Sequence, residues 1–478
     1  MSLNFGNELV NELEAILLFE GDKIENEVFE KLNKKGLFSG KEGEIVVYRD
    51  LEDKQRYVFV GLGKEEDLTL DKVRKIFFKF AKELEAKKES EVKVYIPKLN
   101  GLCTRKTYGA AFEGVLHASY DFDRFKSKKK EEFDLNVRFD VDEEKEEKVT
   151  NELIRIQNIM EGVFFTRDLV NLPSNYIYPE TLANITKEEL EKFGVKVKIY
   201  EEKEIKELGM EAYLSVARGS SNKPRLIVME YMNNPESTEK VALVGKGVTY
   251  DTGGYSIKPN DGMKTMFCDM GGAGTVIGTL LAIAKNNVKT NVYGVVAACE
   301  NSISGDAYKP GDVIGSMAGK TIEVDNTDAE GRLTLADAVY YASTVLKVDK
   351  IIDLATLTGA CLVALSEYYT GSVTNNEELF GEILEASKEA GEPIWLLPTS
   401  EEFKQLNNSR VADIKNSGGR MGGTITAGLF IGEFVNNTPW VHLDIAGTAF
   451  LSKAYGYLPV GATGVHIKTL HNYLERKG

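Results

Sequence analysis

The sequence predicts an α/β protein with a small N-terminal α/β domain joined by a helix to a larger C-terminal α/β domain. Three observations predict it. The chain has 478 residues, too many for one core. From about residue 190 onward, strand-like and helical segments alternate, which is typical of a mostly parallel central sheet with helices on both faces. A hydrophobic content of 42% is enough for globular packing.

The N-terminal part, residues 1–150, is predicted to be the small domain with a connector. Its strand-like segments are 44–48, 57–60 and 92–96, and an amphipathic helix is expected over 70–86. Residues 126–148 carry dense charge, so a solvated connector is expected there. A helical pattern then continues to Val163 and bridges into the second domain.

The C-terminal part, residues 151–478, is predicted to carry the parallel sheet. Pro179 is suited to the first turn of a helix. The predicted strands are 195–200, 225–230, 241–244, 292–298 and 351–355, and the predicted helices are 271–285 and 334–346.

Charge and composition exclude several classes of protein. The chain has 59 Lys and Arg against 74 Asp and Glu, a net charge of -15, which argues against a nucleic-acid or membrane-surface partner. Its four cysteines form no CxxC pair, as expected for free thiols in a reducing compartment. The first residues lack a basic region, Glu12 and Glu14 interrupt their apolar pattern, and no apolar run approaches ~18 residues. We expect a cytoplasmic protein without a signal peptide.

Asn326–Leu333 concentrates charge in a short stretch. In an extended segment, Asp328, Glu330 and Arg332 would point to the same side. Two carboxylates that close repel each other unless a cation lies between them, and carboxylate oxygens suit divalent metal ions. A solvated acidic turn before a helix is the better interpretation of this stretch taken alone.

A second charged cluster lies upstream, in a glycine-rich loop expected after the strand 241–244. It contains Lys246, Asp251, Lys258 and Asp269. Each of these alone is more simply explained as a solvated lysine or a helix cap. Taken with Asp328 and Glu330, the four carboxylates balance two divalent cations, the composition of a two-metal hydrolytic site. Cations nearby would lower the pKa of Lys246, which could then act as a neutral nitrogen ligand.

These residues resemble the leucyl aminopeptidase family, a family of metallopeptidases. Asn326–Leu333 matches the full signature octapeptide of that family. Further matching motifs cover most of residues 160–470: Arg167–Asn171, Val244–Gly254, Ser256–Pro259, Asp269–Gly272, Ala412–Asn416, Gly418–Arg420, His442–Gly447 and Gly461–Gly464. Tyr250 and the pair Phe267 and Cys268 depart from the residues common in the family, next to the site but at no ligand position.

The resemblance implies a fold and a set of ligands. It implies a macro-like N-terminal domain and a C-terminal catalytic domain that assemble into a homohexamer, with residues 1–150 expected to make oligomer contacts. It also implies two divalent metal ions, Mn or Zn and possibly Mg or Co. One ion would be held by Lys246, Asp251, Asp269 and Glu330, and a more exchangeable one by Asp251, Asp328 and Glu330.

The resemblance also implies catalytic and substrate residues. Lys258 would face the substrate carbonyl oxygen, and Arg332 would bind a bicarbonate ion that serves as general base. The implied substrate pocket contains Met266, Asn326, Thr356, Gly359 and Ala446. Ordinary packing is an equally good interpretation of four of them: Met266, Thr356, Gly359 and Ala446.

The function implied is a metal-dependent aminopeptidase that releases Leu or another apolar residue from the N-terminus of peptides. The free α-amine would bind one metal, and a hydroxide bridging both metals would attack the first carbonyl. A two-metal phosphoesterase or amidase would use similar carboxylates. A secondary DNA-binding role is the remaining alternative, and the net charge of -15 argues against it.

Overall fold

The computed structural model describes residues 13–52, 54–131 and 133–477. Residues 1–12, on which most of the argument against a signal peptide depends, lie outside the described residues. The chain divides into two compact units, Met1–Met160 with Ala454–Leu458, and Glu161–Lys453 with Pro459–Gly478. The expected two-domain α/β fold is confirmed.

The first unit is built on a five-stranded sheet. Its strands are β1 (Leu13–Phe19), β2 (Ile45–Arg49), β3 (Arg56–Gly63), β4 (Glu91–Tyr95) and β5 (Asn136–Asp140), in the order β2-β3-β1-β4-β5. Only the β2–β3 pair is antiparallel. Its helices are α1 (Glu27–Lys34), α2 (Leu70–Lys87) and α3 (Thr104–Ser119), and α4 (Glu146–Asn171) follows. The N-terminus of α2 is capped by Thr69, whose hydroxyl accepts from Lys72 N.

One strand of this sheet lies where the sequence predicts a connector, and that prediction is wrong in part. Within residues 126–148, β5 pairs in parallel with β4. Val137 and Phe139 are buried on one face while Asn136, Arg138 and Asp140 alternate with them. The charged residues on both sides obscure this two-residue period, because only two apolar positions carry it.

The second unit is built on an eight-stranded sheet. Its strands are β6 (Lys196–Tyr200), β7 (Arg225–Met232), β8 (Val241–Asp251), β9 (Asn291–Asn301), β12 (Lys350–Ala355), β13 (Thr370–Thr374), β14 (Ile394–Leu396) and β16 (Trp440–Asp444). The order is β14-β13-β16-β12-β8-β9-β7-β6. The four central strands are parallel, whereas β13 and β7 run antiparallel to them.

Short strands form two smaller sheets. The strands β10 (Val313–Ile314), β11 (Ile322–Glu323) and β15 (Ile414–Lys415) form one, and β17 (Phe450–Leu451) and β18 (Gly461–Ala462) form the other. The helices of this unit are α5 (Pro179–Glu191), α6 (Glu202–Glu207), α7 (Glu211–Ala217), α8 (Asn260–Met263), α9 (Gly271–Lys285), α10 (Gly331–Tyr341), α11 (Gly359–Leu365), α12 (Glu377–Ala390), α13 (Glu401–Gln405), α14 (Gly423–Gly432) and α15 (Ile467–Glu475).

Helices cover both faces of the central strands. A Cβ on Gly245 of β8 would lie 2.7 Å from the Cα of Ala273, so α9 packs closely on that face because residue 245 lacks a side chain. Ala242 and Val244, which point the other way along β8, are buried in a core shared with Leu335 and Val339 of α10. Both helices therefore approach β8, from opposite sides.

Three details differ from the sequence predictions. The strand β8 does not end at Val244 but continues to Asp251, so Lys246 lies in a strand and not in a loop. The bridging helix α4 runs past Val163 to Asn171. The segment of Asp328 to Arg332 is a turn followed by the start of α10, not an extended strand, because Ala329 N bonds to Asn326 O and closes the turn.

Among the described residues, one helical stretch, Asn260–Lys285, has the length and composition of a membrane span. Its apolar window is mostly buried inside the second unit, where α9 packs on the sheet. That burial is the property of a core helix.

Candidate metal centre

The charged cluster lies where the parallel strands β12 and β16 end while β8 continues. Ala355, the last residue of β12, pairs with Asp444, the last of β16, and Leu354 pairs with Gly245 of β8. Beyond this level β8 continues beside β9 alone, up to Asp251. Residues 246–251 therefore project past the carboxyl ends of two neighbouring strands, the edge at which open α/β sheets bind ligands.

Lys246 is the buried cation at the base of the cluster, with 3% of its surface exposed. Its Nζ lies 2.7 Å from Asp269 Oδ2 and 2.8 Å from Glu330 Oε1, and it donates to Thr356 O at 3.0 Å. Burial opposes this charge, but Asp269 and Glu330 outweigh it and hold the pKa of Lys246 above its usual range. Among protein groups alone Lys246 is thus an ammonium; a neutral Lys246 requires cations beside it.

Lys258 is the second cation, and it joins two carboxylates. Its Nζ lies 2.8 Å from Asp251 Oδ2 and 2.6 Å from Asp328 Oδ1. The other oxygen of Asp251 accepts hydrogen bonds of 2.8 Å from Gly253 N and from Asn301 Nδ2. Asp251 is therefore fixed from both sides at the end of β8.

Asp269 lies just before α9, and Thr356 Oγ1 donates to its Oδ1 at 2.8 Å. Thr356 thereby contacts both members of the Lys246–Asp269 ion pair, through its hydroxyl and its carbonyl oxygen. The family resemblance implies that Thr356 lines the substrate pocket; these contacts show that it also supports the two charged groups.

The cluster carries more negative than positive charge. Asp251, Asp269, Asp328 and Glu330 carry -4 and Lys246 and Lys258 carry +2, a formal net charge of -2. Burial raises the pKa of each of the three aspartates, and neighbouring carboxylates raise it further although the lysines oppose this. A bound cation would relieve both effects.

The side chains present fit a divalent metal ion. Asp251, Asp328 and Glu330 each offer a carboxylate oxygen, and these oxygens lie within 4.8 Å of one another. Glu330 is 1% exposed, and its buried Oε2 has no hydrogen-bond partner among the residues that the structure describes. A buried carboxylate oxygen without a partner is costly, and a hard divalent ion is the partner that carboxylates accept readily.

Arg332 follows in the first turn of α10, where it is 8% exposed. Its Nη1 donates to Asn416 O at 2.9 Å, and its buried Nε has no hydrogen-bond partner within the described part of the chain. Burial lowers the pKa of Arg332 to about 10, although Glu330 opposes this. A guanidinium with an unused donor is suited to bind a small anion.

The other predicted pocket residues lie in three parts of the chain. Met266 lies in the 3-10 turn that leads to Asp269. Asn326 lies in the turn before Asp328, and its Oδ1 accepts a hydrogen bond of 2.8 Å from Asp328 N. Gly359 begins α11 and is exposed. Ala446 N bonds to Asp444 Oδ1, which also accepts from Leu357 N, so one carboxylate ties the 357–359 and 446 segments together.

Sequence reasoning missed four residues that support the site. Asn301 and Asn416 bond to the ligand-bearing segments, Asp444 joins the loops after β12 and β16, and Gly331 leaves room for Lys246. Asn416 and Asp444 lie within motifs quoted for the family resemblance, which was the available signal. Nothing in the sequence marks Asn301, which ends β9 in the structure, beyond the end of the strand predicted over 292–298.

Comparison with known proteins gives the family. Residues 164–471 match the cytosol aminopeptidase family, catalytic domain, and residues 18–129 match its N-terminal domain. The chain is 55% identical over 465 residues to a probable cytosol aminopeptidase of Treponema denticola, covering 97% of both chains. It is 48% identical over 480 residues to that of Clostridium tetani, covering 100% of this chain and 99% of the relative.

A comparison with solved structures agrees with this family match. The bottromycin maturation enzyme BotP in complex with Mn is 30% identical, with a TM-score of 0.88, and the match covers 98% of this chain and 100% of that one. The resemblance inferred from the motifs is confirmed. The chain belongs to the cytosol aminopeptidase family and is a metal-dependent aminopeptidase, a hydrolase of the metallo-exopeptidase type.

Proposed function

We propose that this protein releases N-terminal residues, preferentially Leu or another apolar residue, from peptides at a site that holds two divalent cations. The convergence of Asp251, Asp328 and Glu330 within 4.8 Å supports this most directly. Manganese and zinc are the proposed ions, with magnesium and cobalt as further candidates. The Mn in the BotP complex supports manganese by analogy.

The five predicted ligands divide between the two ions. Lys246, Asp251, Asp269 and Glu330 would hold one ion, while Asp251, Asp328 and Glu330 would hold the other, more exchangeable one. When bound, such a pair would supply an activated water and polarise the substrate carbonyl. Asp251 and Glu330 would contribute to both ions.

Lys258 is proposed to stabilise the negative charge that develops on the carbonyl oxygen. Burial opposes its charge, but Asp251 and Glu330 hold the pKa of Lys258 above its usual range, so it stays cationic. Its side chain remains 17% exposed, which leaves one side open toward a substrate. A fixed ammonium in a site of low dielectric constant stabilises an oxyanion strongly.

Arg332 is proposed to bind bicarbonate. Its buried Nε finds no hydrogen-bond partner in residues 13–52, 54–131 and 133–477, and an oxyanion would accept from it. A bicarbonate held there would serve as the general base that carries the water proton to the leaving amine. The chain's own contribution is to hold the anion beside Glu330, two residues away along the chain.

Selection for the first residue is assigned to the pocket of Met266, Asn326, Thr356, Gly359 and Ala446. A neutral α-amine bound at the metal site would restrict cleavage to the first peptide bond, because internal residues lack that amine. We further propose a cytoplasmic homohexamer with contacts from residues 1–150. Light scattering that gave a mass other than six times 53.0 kDa would exclude the hexamer.

The test compares leucine p-nitroanilide with its N-acetylated form, with added manganese and after treatment with a chelator. We expect the free amine compound alone to be cleaved, and only with metal present. Rapid cleavage of the acetylated compound would exclude the role of the amine. Cleavage of p-nitrophenyl phosphate at a similar rate would favour the phosphoesterase alternative.

A further inference from the structure

Asn416 is a fully buried residue whose position is set by strand pairing. It follows β15, which pairs in parallel with β11, and its own N donates to Glu323 O at 3.0 Å. The same pairing is reinforced by Asp413, whose Oδ2 accepts from both Thr321 N and Thr321 Oγ1. Asn416 is therefore held independently of the residues it contacts in the site.

The side chain of Asn416 uses its full hydrogen-bonding capacity on one turn. Its Oδ1 accepts from Asp325 N at 2.9 Å and from Asn326 N at 3.2 Å. Its Nδ2 donates to Asn326 O at 2.7 Å and to Ala329 O at 3.2 Å. An asparagine amide has two donors and two acceptor positions, and all four are spent on residues 325–329.

That turn carries the residues of the proposed site. Asn326, held by Asn416 on both its N and its O, accepts from Asp328 N at 2.8 Å. Ala329, held through its carbonyl oxygen, directly precedes Glu330. The carbonyl oxygen of Asn416 itself accepts from Arg332 Nη1 at 2.9 Å.

We propose that Asn416 is a positioning residue that fixes Asp328, Glu330 and Arg332 together, and that it thereby sets the affinity for the more exchangeable cation. This inference depends on the proposed two-metal function. Asn416 touches neither substrate nor metal in this role; it acts through the turn. Partners that orient metal ligands typically change metal affinity by about 10- to 100-fold when they are replaced.

Asn416→Asp is the informative variant, because it preserves size and the acceptor but replaces the two N–H donors with an oxygen. That oxygen would face Asn326 O and Ala329 O, so the turn should loosen. The metal-free full-length protein is titrated with Mn²⁺ alone, by calorimetry and electron paramagnetic resonance. We expect the tighter ion to lose less affinity than the second, because three of its four proposed ligands, Lys246, Asp251 and Asp269, lie outside this turn. The second should bind about tenfold or more weakly, with loss of the coupled Mn²⁺-pair signal.

Activity gives a second readout. Because Asn416→Asp is expected to weaken Mn²⁺ binding, raising the Mn²⁺ concentration should restore much of the lost kcat on leucine p-nitroanilide. A variant that had lost its fold would not be rescued in this way. Asn416→Ser removes the amide without placing a second oxygen against the carbonyl oxygens of Asn326 and Ala329. It should also weaken Mn²⁺ binding, and it replaces Asn416→Asp in the test if that variant does not fold.

Asn291→Asp is the matched control. Asn291 is also buried and ties a turn through both ends of its amide: Oδ1 accepts from Asn234 N, and Nδ2 donates to Asn234 O and Ser237 O. It starts β9, ten residues before the end of that strand at the site. We expect it to lower the melting temperature without changing Mn²⁺ affinity.

The outcomes separate this inference from the proposed function. Two Mn²⁺ ions bound with equal affinities by wild type and Asn416→Asp would exclude the positioning role and leave the function standing. If Asn291→Asp lost as much Mn²⁺ affinity as Asn416→Asp, the weaker binding would be explained by general destabilisation, and the positioning role would be excluded. A wild-type protein that bound no Mn²⁺ and cleaved no anilide would contradict the proposed function itself.

Discussion

At the scale of single residues, the site is defined by how each charge is balanced. Lys246 lies between Asp269 and Glu330, and Lys258 lies between Asp251 and Asp328. The two lysines are not equivalent, because the side chain of Lys246 is 4% exposed whereas that of Lys258 is 17% exposed. The difference supports the proposal that Lys246 is a buried metal ligand and that Lys258 faces the substrate.

Lys258→Met tests this assignment, since it keeps the apolar stem and removes the charge. We expect kcat to fall by about a hundredfold or more, as for other losses of oxyanion stabilisation, while Mn²⁺ binding persists. Stopped-flow rates with leucine p-nitroanilide and a parallel Mn²⁺ titration measure both. Lys264→Met, at an exposed lysine in the segment after α8, is the control and should retain full activity.

At the scale of elements, the start of α10 is shaped around Lys246. A Cβ on Gly331 would lie 2.6 Å from Lys246 Cε and 2.8 Å from its Nζ. Since Glu330 directly precedes α10 and Arg332 lies in its first turn, this helix start carries two charged groups and leaves space for a third. The small residue at this position is a requirement of the site, not of the helix.

Gly331→Ala should therefore displace Lys246 from Asp269 and Glu330. We expect at least a tenfold fall in kcat/KM, by analogy with other changes to groups that orient metal ligands, and weaker Mn²⁺ binding. Gly381→Ala in α12 is the matched helical control, because its added Cβ would meet nothing within 4 Å. If both variants lost kcat/KM and Mn²⁺ affinity equally, the contact of residue 331 with Lys246 would not explain the loss.

At the scale of the whole molecule, a buried network ties the C-terminal helix to the sheet of the second unit. His466, at the start of α15, bonds through Nε2 to Thr370 Oγ1 of β13 at 2.8 Å. Glu392, after α12, accepts from Thr469 N and Thr469 Oγ1, while Lys468 lies 4.0 Å from its Oε1. Burial lowers the pKa of His466 to about 4, with Lys468 acting in the same direction and Glu392 opposing.

This depressed pKa predicts that acid destabilises the fold. Between pH 6.5 and pH 4 the unfolded chain binds a proton at residue 466 that the folded chain does not, so stability falls as pH falls. By pH 5 the loss is about 2 kcal/mol. His466→Asn removes the titration and suits the positive φ of this position, 66°. Urea unfolding measures the free energy of unfolding at pH 7.5 and pH 5, and its fall between the two should be smaller in the variant. An equal fall in both proteins would contradict the depressed pKa of His466.

Much of the fold was predictable from local patterns. The helix over Gly271–Lys285 and the strand up to Ala355 were predicted at or near their observed ends, because long periodic runs of apolar residues carry strong signals. The strand β5 was missed because two inward residues among many charges carry too little pattern. The extension of β8 was missed because its glycines indicate a loop in isolation, although pairing with β9 keeps them extended.

By itself, the sequence determined the class of protein, the two-domain α/β fold and the list of charged residues that belong together, because motifs preserve residue identity and spacing. Only the tertiary structure decided how those residues are held. Asn301, Asn416 and Thr356 come from three distant segments, and their bonds to Asp251, the turn before Glu330 and Asp269 exist only when the strands are assembled. Hydrogen bonds between segments far apart along the chain leave no local pattern, which is the physical reason that the sequence predicted a set of charged residues but not the contacts that hold them.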